Sequence, residues 1–180
     1  AHVDHGKTTP SDAILRRGGV LDDSRAVSTY MDKLEVERER GITVKSQACT
    51  FFVKHPEKPE ETVMVNLVDT PGHVDFSFEV SRSLNATEGA VLLVDAAQGV
   101  QAQTLANMYL ALESENTIVP ALSKLDAVMN EGQIITALSE LESSTGLTSA
   151  EVVMTAAKQK RGIESLLKEV IRRVPPPRDP

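Results

Sequence analysis

Apolar residues return along this chain in two different periods. Short apolar runs bounded by glycine, proline or charged residues are typical of buried strands. Between them lie stretches in which apolar residues return every three or four positions, as in helices that bury one face. Strands that alternate with helices in this way predict an α/β fold, with a mostly parallel sheet and helices on both of its faces.

The pattern predicts five strands and five helices in the 180 residues. The strands are expected at Val44–Val53, Val63–Val68, Gly89–Ala96, Thr117–Leu122 and Val152–Thr155. The helices are expected at Lys7–Arg17, Asp75–Asn85, Gln101–Glu113, Glu131–Ser143 and Ile163–Val174. The polar turn His55–Glu61 predicts an antiparallel hairpin for the first two strands, and Asp22–Gly41 is expected to be a long loop with marginal helix.

Two local features qualify this pattern. The helix at Gln101–Glu113 is expected to bury one face formed by Leu105, Met108, Tyr109 and Leu112. Pro120 lies inside the strand predicted at Thr117–Leu122, and it conflicts with a central position for that strand because proline has no N–H to donate.

Composition limits the class of protein. Hydrophobic residues make up 41% of the chain and charged residues 25%, which is typical of a soluble globular domain. The single cysteine, Cys49, excludes an internal disulfide and suits a reducing compartment. A net charge of −7 argues against a general electrostatic clamp on nucleic acid, so DNA is not an expected partner. Docking on RNA through a local patch stays open.

The first nine residues carry the strongest chemical signal. They read Ala-His-Val-Asp-His-Gly-Lys-Thr-Thr, a phosphate-binding loop with alanine where the usual pattern begins with glycine. Backbone N–H groups of such a loop surround a β-phosphate at a helix N-terminus. Gly6 permits close approach, Lys7 reaches the β- and γ-phosphates, and the Thr8 hydroxyl is a Mg²⁺ ligand. Read alone, the segment is also compatible with an ordinary turn before a helix.

A second signal follows the apolar strand Val63–Val68. It reads Asp69-Thr70-Pro71-Gly72-His73. A carboxylate at the end of a buried strand beside a phosphate loop is where Mg²⁺ is held, and Gly72 offers a backbone N–H for a γ-phosphate. Without the phosphate loop, a Pro-Gly turn before a helix would explain the segment better.

A third signal, Ser123-Lys124-Leu125-Asp126, ends the strand Thr117–Leu122. A carboxylate such as Asp126 accepts hydrogen bonds from the N1–H and the exocyclic amine of guanine, and a lysine stem can lie against the plane of the base. Ala156 and Ala157, after the last strand, can complete the base pocket through a backbone N–H. Taken alone, both segments are more simply explained as surface loops.

A fourth signal lies at the end of the long loop, in Arg40-Gly41-Ile42-Thr43. Thr43 is placed to reach Mg²⁺ only when a γ-phosphate is present, which is how loops of this kind order and disorder. The charged residues before it are explained as a solvated face.

Together, the four segments in this order resemble the GTP-binding domain of translational GTPases, and the resemblance covers essentially the whole chain. More particularly, the chain resembles the elongation factor 4, or LepA, type, with the translocase elongation factor G as the alternative. The segments that carry this narrower resemblance are Asp32–Lys45, Phe76–Leu84, Gly99–Thr104 and Pro175–Pro177.

The resemblance implies a ribosome-dependent GTPase with the Ras-like fold of six strands. The first strand of that fold is expected upstream of Ala1, so the chain is expected to be a fragment: a GTP-binding domain at residues 1–174, truncated at its N-terminus, and a proline-rich linker at 175–180. The implied GTP-binding residues are Ala1, His2, Val3, Asp4, His5, Gly6, Lys7, Thr8, Asp69, Thr70, Pro71, Gly72, His73, Ser123, Lys124, Leu125, Asp126, Ala156 and Ala157.

The same resemblance implies the catalytic roles and the cofactor. His73 is expected to orient the attacking water once large-subunit ribosomal RNA positions it, with Asp4 shaping that contact and Lys7 acting on the phosphates. Mg²⁺ is the expected cofactor, with Thr8, Thr43 and Asp69 as its ligands. GTP, GDP and the ribosome are the expected partners.

Three positions depart from the family pattern. Ser123 replaces an asparagine that ties the base loop to the phosphate loop, Ala156 replaces a serine, and Pro10 replaces an apolar residue. These departures leave open a different class of function, a nucleotide- or ribosome-binding module without turnover. A generic ATPase or kinase is disfavoured by Lys124, Asp126 and His73.

The compartment is predicted from the hairpin turn. The extended turn His55–Glu61 resembles eukaryotic organellar members of the family, which favours the mitochondrial matrix and the matrix side of the inner membrane, with peripheral membrane association through domains outside this chain. Bacterial cytoplasm or plastid stroma is the alternative.

Overall fold

A computed structural model describes residues 47–70, 77–125, 130–155 and 162–177. These ranges contain five strands, four α-helices and one 3₁₀ turn at Ser149–Glu151. The strands are β1 Gln47–Lys54, β2 Thr62–Asp69, β3 Gly89–Asp95, β4 Thr117–Ser123 and β5 Val153–Met154. The helices are α1 Ser77–Asn85, α2 Ala102–Glu113, α3 Glu131–Thr145 and α4 Ile163–Arg173.

The strands form two sheets. β1 and β2 are an antiparallel hairpin whose register runs from Gln47 opposite Asp69 to Lys54 opposite Thr62. β3, β4 and β5 are parallel, in that order, and α2 and α3 are the crossovers between them. The predicted α/β class and the predicted hairpin are confirmed. Within the described ranges no strand pairing joins the two sheets, so the single sheet of six strands stays a prediction.

Successive residues of a strand point to opposite faces of the sheet, and the core follows that alternation. Leu93 and Val119 pack with Phe51 of the hairpin and with Leu166 of α4. The neighbouring residue Val94 faces the other way, in a cluster with buried side chains of α3. A third cluster joins α1 and α2. Helices therefore cover both faces of the parallel sheet, as predicted.

The predicted buried face of α2 is wrong in part. The residues that α2 buries are Thr104, Asn107, Met108 and Ala111, whereas Tyr109 and Leu112 are 55% and 52% exposed. Apart from Met108, the buried stripe is made of small or polar side chains. Small side chains let α2 lie close to α1 and to the sheet, and Tyr109 and Leu112 point outward.

The predicted conflict at Pro120 has a geometric resolution. Pro120 is buried in the central strand β4, opposite Leu92 of β3. The pairing of β4 with β5 begins one residue later, at Ala121 opposite Val153. At Pro120 the strand therefore has a described neighbour on one side only, and the missing N–H removes no bond from the β4–β5 ladder.

Two glycines with left-handed backbone offer a matched pair for a stability prediction. Gly146 after α3 has φ +74, and a Cβ added there would meet nothing within 4 Å, whereas at Gly162 before α4, with φ +75, a Cβ would collide with the carbonyl oxygen of Met154. We expect Gly146→Ala to lower the free energy of unfolding by about 1–2 kcal/mol, the cost of the left-handed conformation. Gly162→Ala should lower it by about 1–3 kcal/mol more, because the collision forces the backbone to move.

Urea unfolding of the two variants and the wild type measures this difference directly. Equal losses in Gly146→Ala and Gly162→Ala would contradict the close approach of Gly162 to β5.

Two further features of the described ranges are the character of the helices and the segment after α4. No helix in them is long and apolar enough to cross a membrane. After α4, residues 175–177 are exposed and lie outside any helix or strand. The linker role predicted for 175–180 and the domain bounds 1–174 stay predictions.

Candidate functional site

The carboxyl ends of parallel strands meet at one edge of a sheet, which is where α/β proteins bind ligands. In this chain β3 ends at Asp95, β4 at Ser123 and β5 at Met154. The segment predicted to read the base, Ser123-Lys124-Leu125-Asp126, therefore begins at that edge, between the ends of two other strands. Its first three residues are described, and Asp126 lies outside the described residues.

Ser123 is part of the sheet rather than of an open loop. It is 2% exposed, and its hydroxyl donates a hydrogen bond to the carbonyl oxygen of Val94 at 3.4 Å. Its own carbonyl oxygen accepts the Ala96 N–H at 2.9 Å. Both contacts tie the end of β4 to the end of β3, so the small hydroxyl side chain at this position serves strand pairing.

Thr155 makes the corresponding link on the other side of β4. It is fully buried, and both its N–H, at 2.9 Å, and its hydroxyl, at 2.8 Å, donate to the carbonyl oxygen of Leu122. The Thr155 carbonyl oxygen accepts the Leu125 N–H at 3.3 Å. Leu125 of the predicted base-reading segment is thus bound to Thr155, the residue that follows β5.

Lys124 has an unusual backbone and a buried partner. Its backbone φ is +57°, in the left-handed region that residues with a Cβ rarely adopt. Its ammonium lies 3.3 Å from Oδ2 of Asp95, whose side chain is 3% exposed, whereas the Lys124 side chain is 34% exposed. The lysine therefore reaches back from the loop to the end of β3.

Sequence reasoning did not single out Asp95 or Thr155. The signal for Asp95 was present, because it is an acidic residue that ends the buried strand Gly89–Asp95, as Asp69 ends β2. Thr155 carries no such signal, since its role depends on hydrogen bonds to residues about thirty positions away.

Asp69 fits the predicted metal-ligating role in type and position. It is the last residue of β2 and is 2% exposed. Magnesium is typically held in such sites by one or two carboxylates together with substrate phosphates, so a single buried carboxylate suffices. The described ranges contain no group of three or more His, Cys, Asp or Glu residues arranged to hold a metal ion. Thr70 follows Asp69 and is partly buried.

Most of the predicted site lies outside the described residues. The predicted positions that cannot be placed are Ala1, His2, Val3, Asp4, His5, Gly6, Lys7, Thr8, Thr43, Pro71, Gly72, His73, Asp126, Ala156 and Ala157. The structure brings Ser123, Lys124 and Leu125 together with Asp95 and Thr155, and it describes Asp69 at the end of β2.

The class of protein follows from this fold and from the motifs that surround it. A profile of the family described as elongation factor Tu GTP binding domain matches residues 1–176. The chain belongs to that family. The parallel sheet, the helices on both faces and the loops at the carboxyl ends of the strands agree with this assignment.

Curated relatives narrow the assignment to the predicted type. A Trypanosoma cruzi protein named translation factor GUF1 homolog 1, mitochondrial, is 58% identical over 177 residues, which are 98% of this chain and 23% of that protein. The Leishmania infantum GUF1 homolog, also named mitochondrial, is 55% identical over 98% of this chain and 21% of its own length. Elongation factor 4 of Syntrophobacter fumaroxidans is 48% identical over 98% of this chain and 29% of its own length. The resemblance to the elongation factor 4 type is confirmed.

Solved structures confirm the fold. A bacterial selenocysteine-specific elongation factor, EF-Sec, superposes with a TM-score of 0.72 at 24% identity, over 96% of this chain and 27% of that one. Elongation factor SelB from Methanococcus maripaludis, solved with the GTP analogue GppNHp, superposes with a TM-score of 0.68 at 24% identity, over 95% of this chain and 31% of that one. This chain thus spans less than a third of each relative named here.

Proposed function

We propose that this chain is the GTP-binding and GTP-hydrolysing domain of a ribosome-dependent translation factor of the elongation factor 4 type. The observation that carries the proposal is the position of Ser123–Leu125, which hydrogen bonds and an ion pair hold at the carboxyl edge of the parallel sheet, where a base pocket is predicted. Membership of the elongation factor Tu GTP-binding family and the names of the relatives support the activity.

The proposed site has two halves. In the phosphate half, Lys7 contacts the β- and γ-phosphates and the Gly72 N–H contacts the γ-phosphate. Thr8, Thr43 and Asp69 hold Mg²⁺, which neutralises charge on the phosphates when it is bound. The remaining residues of the phosphate loop and of the segment after β2 complete this half: Ala1, His2, Val3, Asp4, His5, Gly6, Thr70, Pro71 and His73.

In the base half, the Asp126 carboxylate accepts both guanine N–H groups and the methylene stem of Lys124 lies against the ring. Ser123 and Leu125 hold the segment in place through the contacts described above. Ala156 and Ala157 directly follow Thr155, which is itself bound to β4, and we assign a backbone N–H of this pair to the same base.

Hydrolysis requires a water molecule in line with the γ-phosphate. We assign its orientation to His73, directly after Gly72, once large-subunit ribosomal RNA contacts the domain, and we assign Asp4 to that contact. Holding this water in line lowers the entropic part of the activation free energy for GTP hydrolysis. Alone, the domain is therefore expected to hydrolyse GTP slowly.

The names of the trypanosomatid relatives favour a mitochondrial location, and we propose the matrix as the compartment. Peripheral association with the inner membrane stays a prediction, assigned to parts of the protein outside residues 1–180. An effect on translation, whether in fidelity or in back-translocation, also depends on those parts.

One observation favours a second candidate function, a binding module without turnover. The Ser123 hydroxyl donates to Val94 within the sheet, at the position where the family has an asparagine that ties the base loop to the phosphate loop. A weaker tie between the loops would lower the affinity for GTP. The presence of Lys7, Thr43, Asp69 and His73 argues against loss of turnover.

Replacement of Lys7 by alanine tests the phosphate half of the site. We expect Lys7→Ala to bind GTP at least 10²-fold more weakly than wild type, because a charge-assisted contact to the phosphates is lost. Titration of a fluorescent GTP analogue into the full-length protein, with and without Mg²⁺, measures the effect. Lys58→Ala, which removes an exposed lysine of the hairpin turn that pairs with Glu61, is the matched control. Equal affinities of Lys7→Ala and wild type would overturn the phosphate-loop assignment.

A further inference from the structure

The end of β3 is built around one buried carboxylate. Asp95 is 2% exposed, and its Oδ1 accepts the N–H groups of Ala97 at 2.8 Å and Gln98 at 3.3 Å. Its backbone carbonyl oxygen accepts the Gly99 N–H at 2.8 Å. One carboxylate oxygen is therefore used by the turn that leads from β3 into α2.

The other carboxylate oxygen of Asp95 faces the base-reading segment. Oδ2 lies 3.3 Å from the ammonium of Lys124, a residue 29 positions further along the chain. Lys124 is also constrained through its backbone, since its neighbours Ser123 and Leu125 are hydrogen-bonded to β3 and to Thr155. Backbone and ammonium are thus both held, and the methylene stem between them has little freedom left.

We propose that Asp95 is a positioning residue for base recognition, acting by anchoring the ammonium of Lys124 so that the lysine stem is already in place as a platform for the purine ring. This inference rests on the proposed function, because it assigns Lys124 to the base half of the site. Lysine loses more rotamer entropy than most side chains when it is ordered. A stem that is ordered before the nucleotide arrives removes that cost from binding.

The substitution Asp95→Asn distinguishes the roles of the two carboxylate oxygens. The amide oxygen of asparagine can still accept the Ala97 and Gln98 N–H groups, so the turn after β3 is kept, while the charge that pairs with Lys124 is lost. We expect affinities for GDP and GTP to fall together by about tenfold, the lower end of the range for hydrogen bonds to charged groups, because Lys124 is partly exposed. The rate of hydrolysis at saturating GTP should not change.

The measurement is a titration of fluorescent GDP and GTP analogues into the full-length protein, combined with a double-mutant cycle. In a Lys124→Met background the ammonium is absent, so adding Asp95→Asn should cause no further loss of affinity. Lys124→Arg, which keeps a positive charge for Asp95, should restore most of the affinity that Lys124→Met loses. The comparison of Lys124→Arg with Lys124→Met leaves Asp95 intact, so it tests the proposal even if Asp95→Asn does not fold.

Glu140 provides the matched control. Its Oε2 accepts the Val100 N–H at 3.3 Å, so Glu140→Gln disturbs the same loop between β3 and α2 without removing the charge that pairs with Lys124. We expect Glu140→Gln to bind GDP within about twofold of wild type, as is usual for changes at exposed positions.

Four results would each overturn the role of Asp95: wild-type affinity in Asp95→Asn, wild-type affinity in Lys124→Met, additive losses in the cycle, or an equal loss in Glu140→Gln. Each of these leaves the proposed function intact, since wild type still binds guanine nucleotides. Failure of the wild type itself to bind GDP or GTP would instead overturn the proposed function, and this inference with it.

Discussion

Replacement of His73 by alanine is expected to abolish the stimulation of GTP hydrolysis by ribosomes and to leave the affinity for GTP nearly unchanged. His73 follows the glycine that is assigned to the γ-phosphate, so its side chain acts on the attacking water rather than on bound nucleotide. An interaction made mainly in the transition state lowers the rate when it is lost, without weakening ground-state binding. A loss of roughly 10²- to 10⁴-fold is the scale for a residue that positions or deprotonates the nucleophile. Multiple-turnover phosphate release by the full-length protein, with and without ribosomes, measures it.

His55 offers a control of the same residue type. It lies in the hairpin turn, where its Nδ1 accepts the N–H groups of Glu57 and Lys58, at the opposite end of the β1–β2 hairpin from Asp69. His55→Ala should keep full ribosome stimulation. If His73→Ala is stimulated as strongly as wild type, the protein is an enzyme and another residue orients the water. If wild type shows no stimulation at any ribosome concentration, the binding module without turnover is the better description.

The order and type of the elements could be predicted because they depend on local pattern. The strand expected at Gly89–Ala96 is observed at Gly89–Asp95, and the helix expected at Gln101–Glu113 at Ala102–Glu113. Each is an apolar or amphipathic run between turn residues, and such a run determines its own secondary structure to a large extent. The hairpin followed from the polar turn between two runs with strand character.

The buried face of α2 could not be predicted in the same way. Its sequence contains two stripes with helical spacing, one with Leu105, Met108, Tyr109 and Leu112 and the other with Thr104, Asn107, Met108 and Ala111. Size favoured the first stripe as the core. The structure buries the second, in which Met108 is the one large side chain, because a helix packed between a sheet and a neighbouring helix has room for few large side chains at the contact. That requirement comes from the neighbours of α2, and the spacing of apolar residues within α2 does not reveal it.

In the candidate site, too, the features that depend on local sequence could be predicted, and those that depend on tertiary contacts could not. Lys124 could be found because a short motif carries its chemistry, but its left-handed backbone and its ion pair with Asp95 depend on residues brought together only by the sheet. Ser123 was expected both as a GTP-binding residue and as a departure from the family pattern. Its burial and its hydrogen bond to Val94 add a physical role, which is to join the ends of β3 and β4.

The second large effect is expected in the recognition of the guanine base by Asp126. Asp126→Asn should lower the affinity for GTP by roughly 10²- to 10⁴-fold, because two hydrogen bonds to a charged acceptor are lost or weakened, each contributing about 1.5–3 kcal/mol. The same change should favour xanthine nucleotides. Xanthine carries a carbonyl in place of the exocyclic amine of guanine, and the amide of asparagine can donate to that carbonyl while it accepts the N1–H. Competition between GTP and XTP for the full-length variant measures the change in preference.

The preference for XTP distinguishes Asp126 from its neighbours. Asp95→Asn is expected to weaken all guanine nucleotides without reversing the preference, because a lysine stem packs against any purine. Glu131→Gln, at an exposed position in the first turn of α3, removes an acidic side chain five residues further along and should change neither affinity nor preference. A GTP preference that survives in Asp126→Asn would mean that the segment after Ser123 is a surface loop. The ion pair between Asp95 and Lys124 would then have to be explained by stability alone.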